Sequence, residues 1–99
     1  MIRYMDGTQI KQLLQANREH LFATYPLTSI ALFGSYADGT ATEESDVDIL
    51  VEFSKPVGFE FIDLSIELEN ILHRPVDLVT RQAIKPRMIP FITRQLQYV

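Results

Sequence analysis

Cysteine is absent from this 99-residue sequence, and long apolar runs are absent as well. The lack of cysteine excludes disulfide bonds and thiolate metal sites, which fits a reducing compartment. No uninterrupted apolar segment approaches the roughly 20 residues that a membrane-spanning helix requires. The first residues, MIRYMDGTQIKQLLQ, lack the charged segment followed by an apolar segment that marks a signal peptide. We therefore expect a soluble, cytoplasmic protein with no membrane association.

Positive charge is scarce, because 9 Lys and Arg residues face 13 Asp and Glu residues and the net charge is −4. Such a balance argues against direct binding of nucleic acid, which depends mainly on Lys and Arg contacts to phosphates. The segment 38–52 has six acids and no base, whereas residues 81–99 have four bases and no acid. This separation fits metal ions at one place and phosphate groups at another, but it fits two solvated surfaces of opposite sign equally well.

Length and composition predict one folded domain. Single cores usually occupy about 100–150 residues, and 46% of the residues here are apolar. Residues 1–99 are therefore expected to form a single domain. A chain of this size leaves much of its apolar surface uncovered, so its size alone is compatible with a protein partner.

The spacing of apolar residues predicts the element order α-β-β-α-β-α. A first helix begins near the capping residues Asp6-Gly7-Thr8 and ends at about Tyr25, before Pro26. The remaining elements are strands at 29–33, 46–53 and 76–79, a loop at 35–45, a helix at about 57–72, a short helix from Lys85-Pro86 and a terminal strand at 97–99. The first two strands can pair antiparallel, and the helix after them suits a crossover connection. The fold class is therefore α/β (α+β), with helices packed on a mixed β-sheet.

The helix at 57–72 has a broad apolar face. Its apolar residues are Phe61, Leu64, Leu68, Ile71 and Leu72, with Phe59, Ile62 and Ile66 widening the same face. Such a width favours a helix that contacts both its own sheet and a partner protein.

Two carboxylates stand at the start of the second predicted strand. In a strand, residues i and i+2 point to the same face, so Asp46 and Asp48 project together. Val47, Ile49 and Val51 then point to the opposite, core-facing side. Hard divalent cations such as Mg²⁺ prefer oxygen ligands, and two such ions form a clamp for phosphoryl or nucleotidyl transfer. The pair therefore indicates a metal site, although strand-end capping is the common explanation of such a pair on its own.

Two further features would complete this chemistry. Asp77 lies centrally in the third predicted strand, where a lone charge is otherwise unfavourable. If that strand neighbours the second one, Asp77 joins Asp46 and Asp48. Gly34-Ser35 follows the first strand, and such a turn lets a backbone and a hydroxyl approach a phosphate closely. Each feature is weak alone, and their combination points to a nucleotide site.

The combination resembles a known family. Gly34-Ser35, ten intervening residues and then Asp46-Val47-Asp48 are similar to the signature of the nucleotidyltransferase superfamily that includes polymerase β. The length, the flanking residues 31–33 and 49–53, the segment 76–80 and the tail 83–87 look like its minimal branch, the MNT domains. The resemblance covers nearly the whole chain.

The resemblance implies a nucleotidyltransferase fold and the use of Mg²⁺ and ATP. It also implies an antitoxin that transfers AMP from ATP to a tyrosine of a HEPN-family ribonuclease toxin, its protein partner in a hetero-oligomer. By the same resemblance, Asp46, Asp48 and Asp77 are the catalytic and metal-binding residues, and Gly34 and Ser35 bind the nucleotide.

One residue departs from the family pattern. Family members commonly read Gly-Ser-x-x-Arg-Gly, whereas Asp38 stands here in the position of the Arg. The reversed charge is expected to weaken triphosphate binding unless Asp38 points away or pairs with a base. Arg81, Lys85, Arg87 or the partner could supply the missing positive charge.

Two alternatives to the protein adenylyltransferase remain open. The chain could be a catalytically weak antitoxin that neutralises its partner by binding alone, which Asp38 favours. Transfer to a small molecule is disfavoured, because no second domain encloses such a substrate. His20 and His73 attract no catalytic role and are expected to be structural.

Overall fold

A computed structural model describes residues 5–93 and 95–99 of the chain. The helices are α1 Gly7–Thr24, α2 Ser35–Asp38, α3 Phe59–Leu72 and α4 Ile89–Thr93, and two 3₁₀ helices lie at Arg81–Ala83 and Pro86–Met88. The strands are β1 Leu27–Phe33, β2 Val47–Phe53, β3 Val76–Thr80 and β4 Gln97–Tyr98. This is the predicted mixed α/β architecture.

The four strands form one sheet in the order β3-β2-β1-β4. β1 pairs antiparallel with β2 and with β4, whereas β2 and β3 are parallel. Parallel neighbours need a crossover, and α3 provides it. The antiparallel first pair, the crossover helix and the terminal strand are all confirmed.

The first helix begins where its capping residues predict. The Asp6 carboxylate accepts a hydrogen bond from the Gln9 N–H, and the Gln9 side chain accepts one from the Asp6 N–H. This reciprocal pair satisfies two backbone donors at the helix start. The helix ends at Thr24, and Pro26 follows its C-cap Tyr25.

The hydrophobic core lies between one face of the sheet and two helices. Val47, Ile49 and Val51 of β2 are fully buried, as their alternation predicts. The helices contribute Ile10, Leu14 and Leu21 from α1 and Leu64, Leu68 and Leu72 from α3. Full burial of such a side chain contributes roughly 1.5–3 kcal/mol. This core fixes β2, and through it the carboxylates that point the other way.

Several predicted boundaries and one predicted loop were wrong. β1 begins at Leu27, earlier than predicted, because buried Leu27 still pairs with Phe53. The segment 35–45 is not all loop, since it opens with the helix α2. β2 begins at Val47, so Asp46 precedes the strand, and α3 begins at Phe59. The predicted short helix from Lys85-Pro86 is a 3₁₀ turn that continues into α4.

Burial divides the apolar face of α3 into two parts. Leu64, Leu68 and Leu72 lie in the core. The three residues that widen the face are exposed, which is compatible with the partner contact expected from its width: Phe59 (by 81%), Ile62 and Ile66.

Leu50 alternates with the acids yet is only 2% exposed, and its β1 neighbour Ala31 is fully buried. The sheet face that points away from α1 and α3 is therefore also buried in its middle. The acids lie at one end of that face.

Within the described part of the chain, none of the helices is both long enough and apolar enough to cross a membrane.

Candidate active site

Asp48 is the centre of the acidic group. It lies on β2 opposite Phe33 of β1 and opposite Asp77 of β3. Residues opposite each other on parallel strands are about 4.8 Å apart and share a face. The two carboxylates therefore lie together on the sheet face away from α1 and α3. Asp46 is exposed at the entrance to the same strand.

The pKa of Asp48 shows that the two other acids act on this carboxyl. Partial burial raises the pKa of the Asp48 carboxyl, and the negative charges of Asp77 and Asp46 raise this pKa further. A raised pKa means that the ionised form is unfavourable in the folded chain. A divalent cation would relieve both causes, because it replaces lost solvation and cancels the repulsion.

The donor chemistry suits Mg²⁺, although the acids do not form a finished cage. Over residues 5–93 and 95–99, no group of three or more His, Asp or Glu side chains has the arrangement to hold a metal ion by itself. Mg²⁺ is usually held by one or two carboxylates together with water and substrate phosphates. Asp46, Asp48 and Asp77 thus fit a cation that arrives with a nucleotide, and their role as ligands stays a prediction.

Gly34 brings a backbone turn against Asp48. Its φ of +70° lies in the region that side chains rarely adopt. A Cβ added at this position would collide with the Asp48 carboxylate oxygen Oδ2. Only glycine fits both conditions, so the turn between β1 and α2 lies directly beside the central acid.

Ser35 opens the one-turn helix α2 immediately after this glycine. Backbone N–H groups at a turn of this kind can bind an anion, and the role of Gly34 and Ser35 in nucleotide binding stays a prediction. The position of α2 comes from tertiary contacts. Tyr36 is only 2% exposed, and the α1 residue Gly7 packs so closely on the Tyr36 carbonyl that a Cβ would collide with it.

Comparison with known proteins decides the family. The family model described as the nucleotidyltransferase domain matches residues 10–99. The chain belongs to this family.

Two curated relatives are similar to this nucleotidyltransferase over nearly its whole length. One is a Methanocaldococcus jannaschii protein with the provisional name protein adenylyltransferase MJ1379; it is 44% identical over 96 residues, covering 93% of this chain and 96% of the relative. The other is the protein adenylyltransferase MntA of Thermococcus cleftensis, which is 38% identical over 92 residues, covering 92% of this chain and 93% of the relative.

Two solved structures share the fold. A crystal structure of a toxin-antitoxin with AMP-PNP superposes with a TM-score of 0.67 at 27% identity, covering 95% of this chain and 72% of the other. A structure of the tri-AMPylated HEPN toxin of Shewanella oneidensis in complex with an MNT antitoxin gives a TM-score of 0.57 at 25% identity. The match covers 93% of this chain and 66% of the other.

Asp38, the departure from the family pattern, forms its hydrogen bonds with Thr40. Its Oδ1 accepts hydrogen bonds from the Thr40 hydroxyl and, at 2.9 Å, from the Thr40 N–H. These bonds hold the pKa of the Asp38 carboxyl below its usual value. Asp38 is exposed, so solvent screens its charge. The conflict predicted from the sequence is therefore smaller than the residue type alone indicates.

Arg81, which was considered as a phosphate ligand, forms hydrogen bonds to two side chains of the protein. Its Nε donates to the Glu52 carboxylate at 2.8 Å, and its Nη2 donates to the Tyr98 hydroxyl at 3.1 Å. The hydrogen bond to Glu52 is the main reason why the pKa of Arg81 is raised. These two bonds tie the 3₁₀ helix that follows β3 to β2 and β4, and they give Glu52 a structural role. Lys85 and Arg87 are exposed and remain candidates for phosphate contact.

Both histidines lie at helix contacts or helix ends and not at the acidic group. The ring nitrogen Nε2 of His20 lies 2.6 Å from the Glu67 carboxylate, which also accepts a hydrogen bond from the Tyr25 hydroxyl. This contact joins α1 to α3. His73 ends α3 in the left-handed conformation with a φ of 54°. Both lie outside the acidic group, as expected.

Proposed function

We propose that this nucleotidyltransferase is an antitoxin that transfers AMP from ATP to a tyrosine hydroxyl of a HEPN-family ribonuclease toxin. The observation that carries the proposal is the packing of Gly34 against Asp48, with Asp77 as the in-register neighbour of Asp48. This geometry sets the turn that we propose to bind phosphate beside the acids that we propose to hold the metal. The printed descriptions of the relatives, an adenylyltransferase and an AMPylated HEPN toxin, support the acceptor and the transferred group.

The reaction is an in-line displacement at the α-phosphorus of ATP. The tyrosine oxygen forms a bond to this phosphorus, and the bond from the phosphorus to the bridging oxygen breaks, so pyrophosphate leaves. Bound Mg²⁺ would neutralise the charge that develops on the phosphate oxygens. Gly34 and Ser35 orient the triphosphate through their backbone. Asp77 accepts the proton of the attacking hydroxyl, and alignment of the reactants supplies much of the acceleration.

Isotope labelling tests the class of reaction. Wild-type protein and its HEPN-type partner are incubated with Mg²⁺ and ATP labelled at either the α- or the γ-phosphate. We expect label on the partner from α-labelled ATP alone. Label from γ-labelled ATP would identify a kinase, and no label from either would leave neutralisation by binding alone as the function.

Removal of Asp38 tests the one residue that the proposed chemistry does not require. Because its exposed carboxylate is screened and directed to Thr40, we expect Asp38→Ala to bind Mg²⁺-ATP with unchanged affinity or up to about fivefold more tightly. Isothermal titration calorimetry measures the Kd. Glu43→Ala, which removes the same charge from the same segment, is the matched control. Clearly weaker binding by Asp38→Ala alone would contradict this account of Asp38.

A further inference from the structure

The helix α2 is tied to the C-terminal strand by a residue 60 positions away. The side-chain amide Nε2 of Gln97 donates a hydrogen bond of 2.9 Å to the Ala37 carbonyl, in a partly buried position. The N–H of Ala37 in turn donates to the Gly34 carbonyl at 3.0 Å. A chain of two hydrogen bonds therefore runs from Gln97 through the residue Ala37 to the glycine beside Asp48.

The strand β4 is itself held firmly enough to serve as an anchor. Gln97 lies opposite Leu32 and Tyr98 opposite Ala31 in the antiparallel pair with β1. The Val99 N–H adds a hydrogen bond of 3.0 Å to the Ile30 carbonyl. Tyr98 is fixed from its side chain by Arg81. The Gln97 backbone therefore has a defined place, and its amide can hold α2.

We infer that Gln97 is a positioning residue for nucleotide binding: it holds α2 so that the turn at Gly34-Ser35 faces the triphosphate. The inference deepens the proposed function and rests on it for the nature of the ligand, ATP. A hydrogen bond of this type changes an equilibrium constant by roughly three- to tenfold. Loss of the bond is thus expected to weaken binding by about this factor and to leave the acids on β2 and β3 in place.

The test replaces Gln97 with methionine, which has a similar length but no donor. For Gln97→Met with Mg²⁺, the Kd for AMP-PNP measured by calorimetry is expected to rise about three- to tenfold. The KM for ATP in AMP transfer to the partner should rise by the same factor, while kcat stays within about twofold. A residue that merely stabilised the fold would lower the active fraction, and so kcat, without raising KM.

A second readout reports position directly. In two-dimensional amide NMR spectra of the nucleotide-free protein, Gln97→Met should shift the amide signals of residues 34–38 and leave those of β2 and β3 nearly unchanged. Shifts spread over the whole sheet would indicate a general packing defect and would contradict a positioning role.

Two companion variants keep the test decisive. Gln95→Met makes the same chemical change at an exposed position just before β4, and it should bind AMP-PNP like the wild type. Gln97→Asn keeps a polar amide but withdraws it from Ala37, so it should weaken binding in the same direction if Gln97→Met fails to fold. If folded Gln97→Met, or Gln97→Asn in its place, binds AMP-PNP within twofold of the wild type, the inference is wrong.

The outcome is separable from that of the proposed function. If the wild type binds AMP-PNP but labels no partner, the proposed acceptor is wrong, and the Kd comparison still decides the role of Gln97. If the wild type labels its partner and the variants bind AMP-PNP normally, the proposed function stands and only the positioning role falls.

Discussion

Asp48→Asn is expected to transfer AMP at least about a thousandfold more slowly than the wild type. The reason is that a cation at this site supplies several kcal/mol of transition-state stabilisation. The substitution keeps the size of the side chain and removes its charge. Asp48 lies between Asp77 and Gly34, so it is the acid whose loss most directly disconnects the cation from the nucleotide. Initial rates of partner labelling measure the effect.

The same variant should fold at least as stably as the wild type. Because the pKa of Asp48 is raised in the folded chain, the folded state binds a proton more tightly than the unfolded state does. The free energy of unfolding of the wild type therefore falls as the pH rises from the ordinary carboxyl pKa through the raised value. Asparagine removes this pH dependence. Without divalent cations at neutral pH, the Tm of Asp48→Asn should equal or exceed that of the wild type.

Glu44→Gln is the matched control, because it removes one charge from the exposed loop before β2. It should keep the wild-type rate and the wild-type pH dependence of stability. Wild-type labelling by Asp48→Asn would refute the metal-site account. A marked fall in Tm would show instead that the Asp48 carboxylate stabilises the fold.

Gly34→Ala is expected to abolish nucleotide binding and to destabilise the fold. A φ of +70° with a ψ of −150° is a conformation that other residues adopt only with strain of about 1–3 kcal/mol. In addition, the new methyl group would collide with Asp48, so either the turn or the carboxylate must move. Urea unfolding measures the loss of stability, and calorimetry with Mg²⁺ and AMP-PNP measures the loss of binding.

Two other glycines, Gly39 and Gly58, separate the effect of backbone strain from the effect of collision with Asp48. Gly39 has a φ of +85° but open space around it, so Gly39→Ala should show strain without collision and should keep nucleotide binding. Gly58 has open space around it, so Gly58→Ala causes no collision and should bind nucleotide like the wild type. If Gly34→Ala behaved like Gly39→Ala in both assays, close contact with Asp48 would not be required for binding.

The sheet and the placement of its acids could be predicted from the sequence because they depend on local alternation. Val47, Ile49 and Val51 recur at the period of a strand, so the side on which Asp48 lies follows directly. The crossover by α3 indicated a parallel β3, and the structure supplies the adjacency and register that bring Asp77 opposite Asp48. The spacing from Gly34-Ser35 to Asp46 was sufficient to indicate the family, which the match over residues 10–99 confirms.

Contacts between distant residues could not be predicted in this way. The helix α2 has four residues and no apolar period, and it depends on burial of Tyr36 and close packing by Gly7. The bond from Gln97 to Ala37 spans 60 positions, and no spacing rule indicates it. Helical periodicity gives the width of the apolar face that includes Phe59, but not how much of that face the sheet covers.

The intact mass of the HEPN-type partner is the most direct test of the central claim. The purified partner is incubated with Mg²⁺-ATP and either the wild type or the Asp46→Asn, Asp48→Asn double variant. With the wild type, we expect the partner to gain the mass of one or more adenylyl groups, located on tyrosine by peptide fragmentation; with the variant, its mass should stay unchanged. An unchanged mass with the folded wild type, or an equal gain with the double variant, would contradict the account.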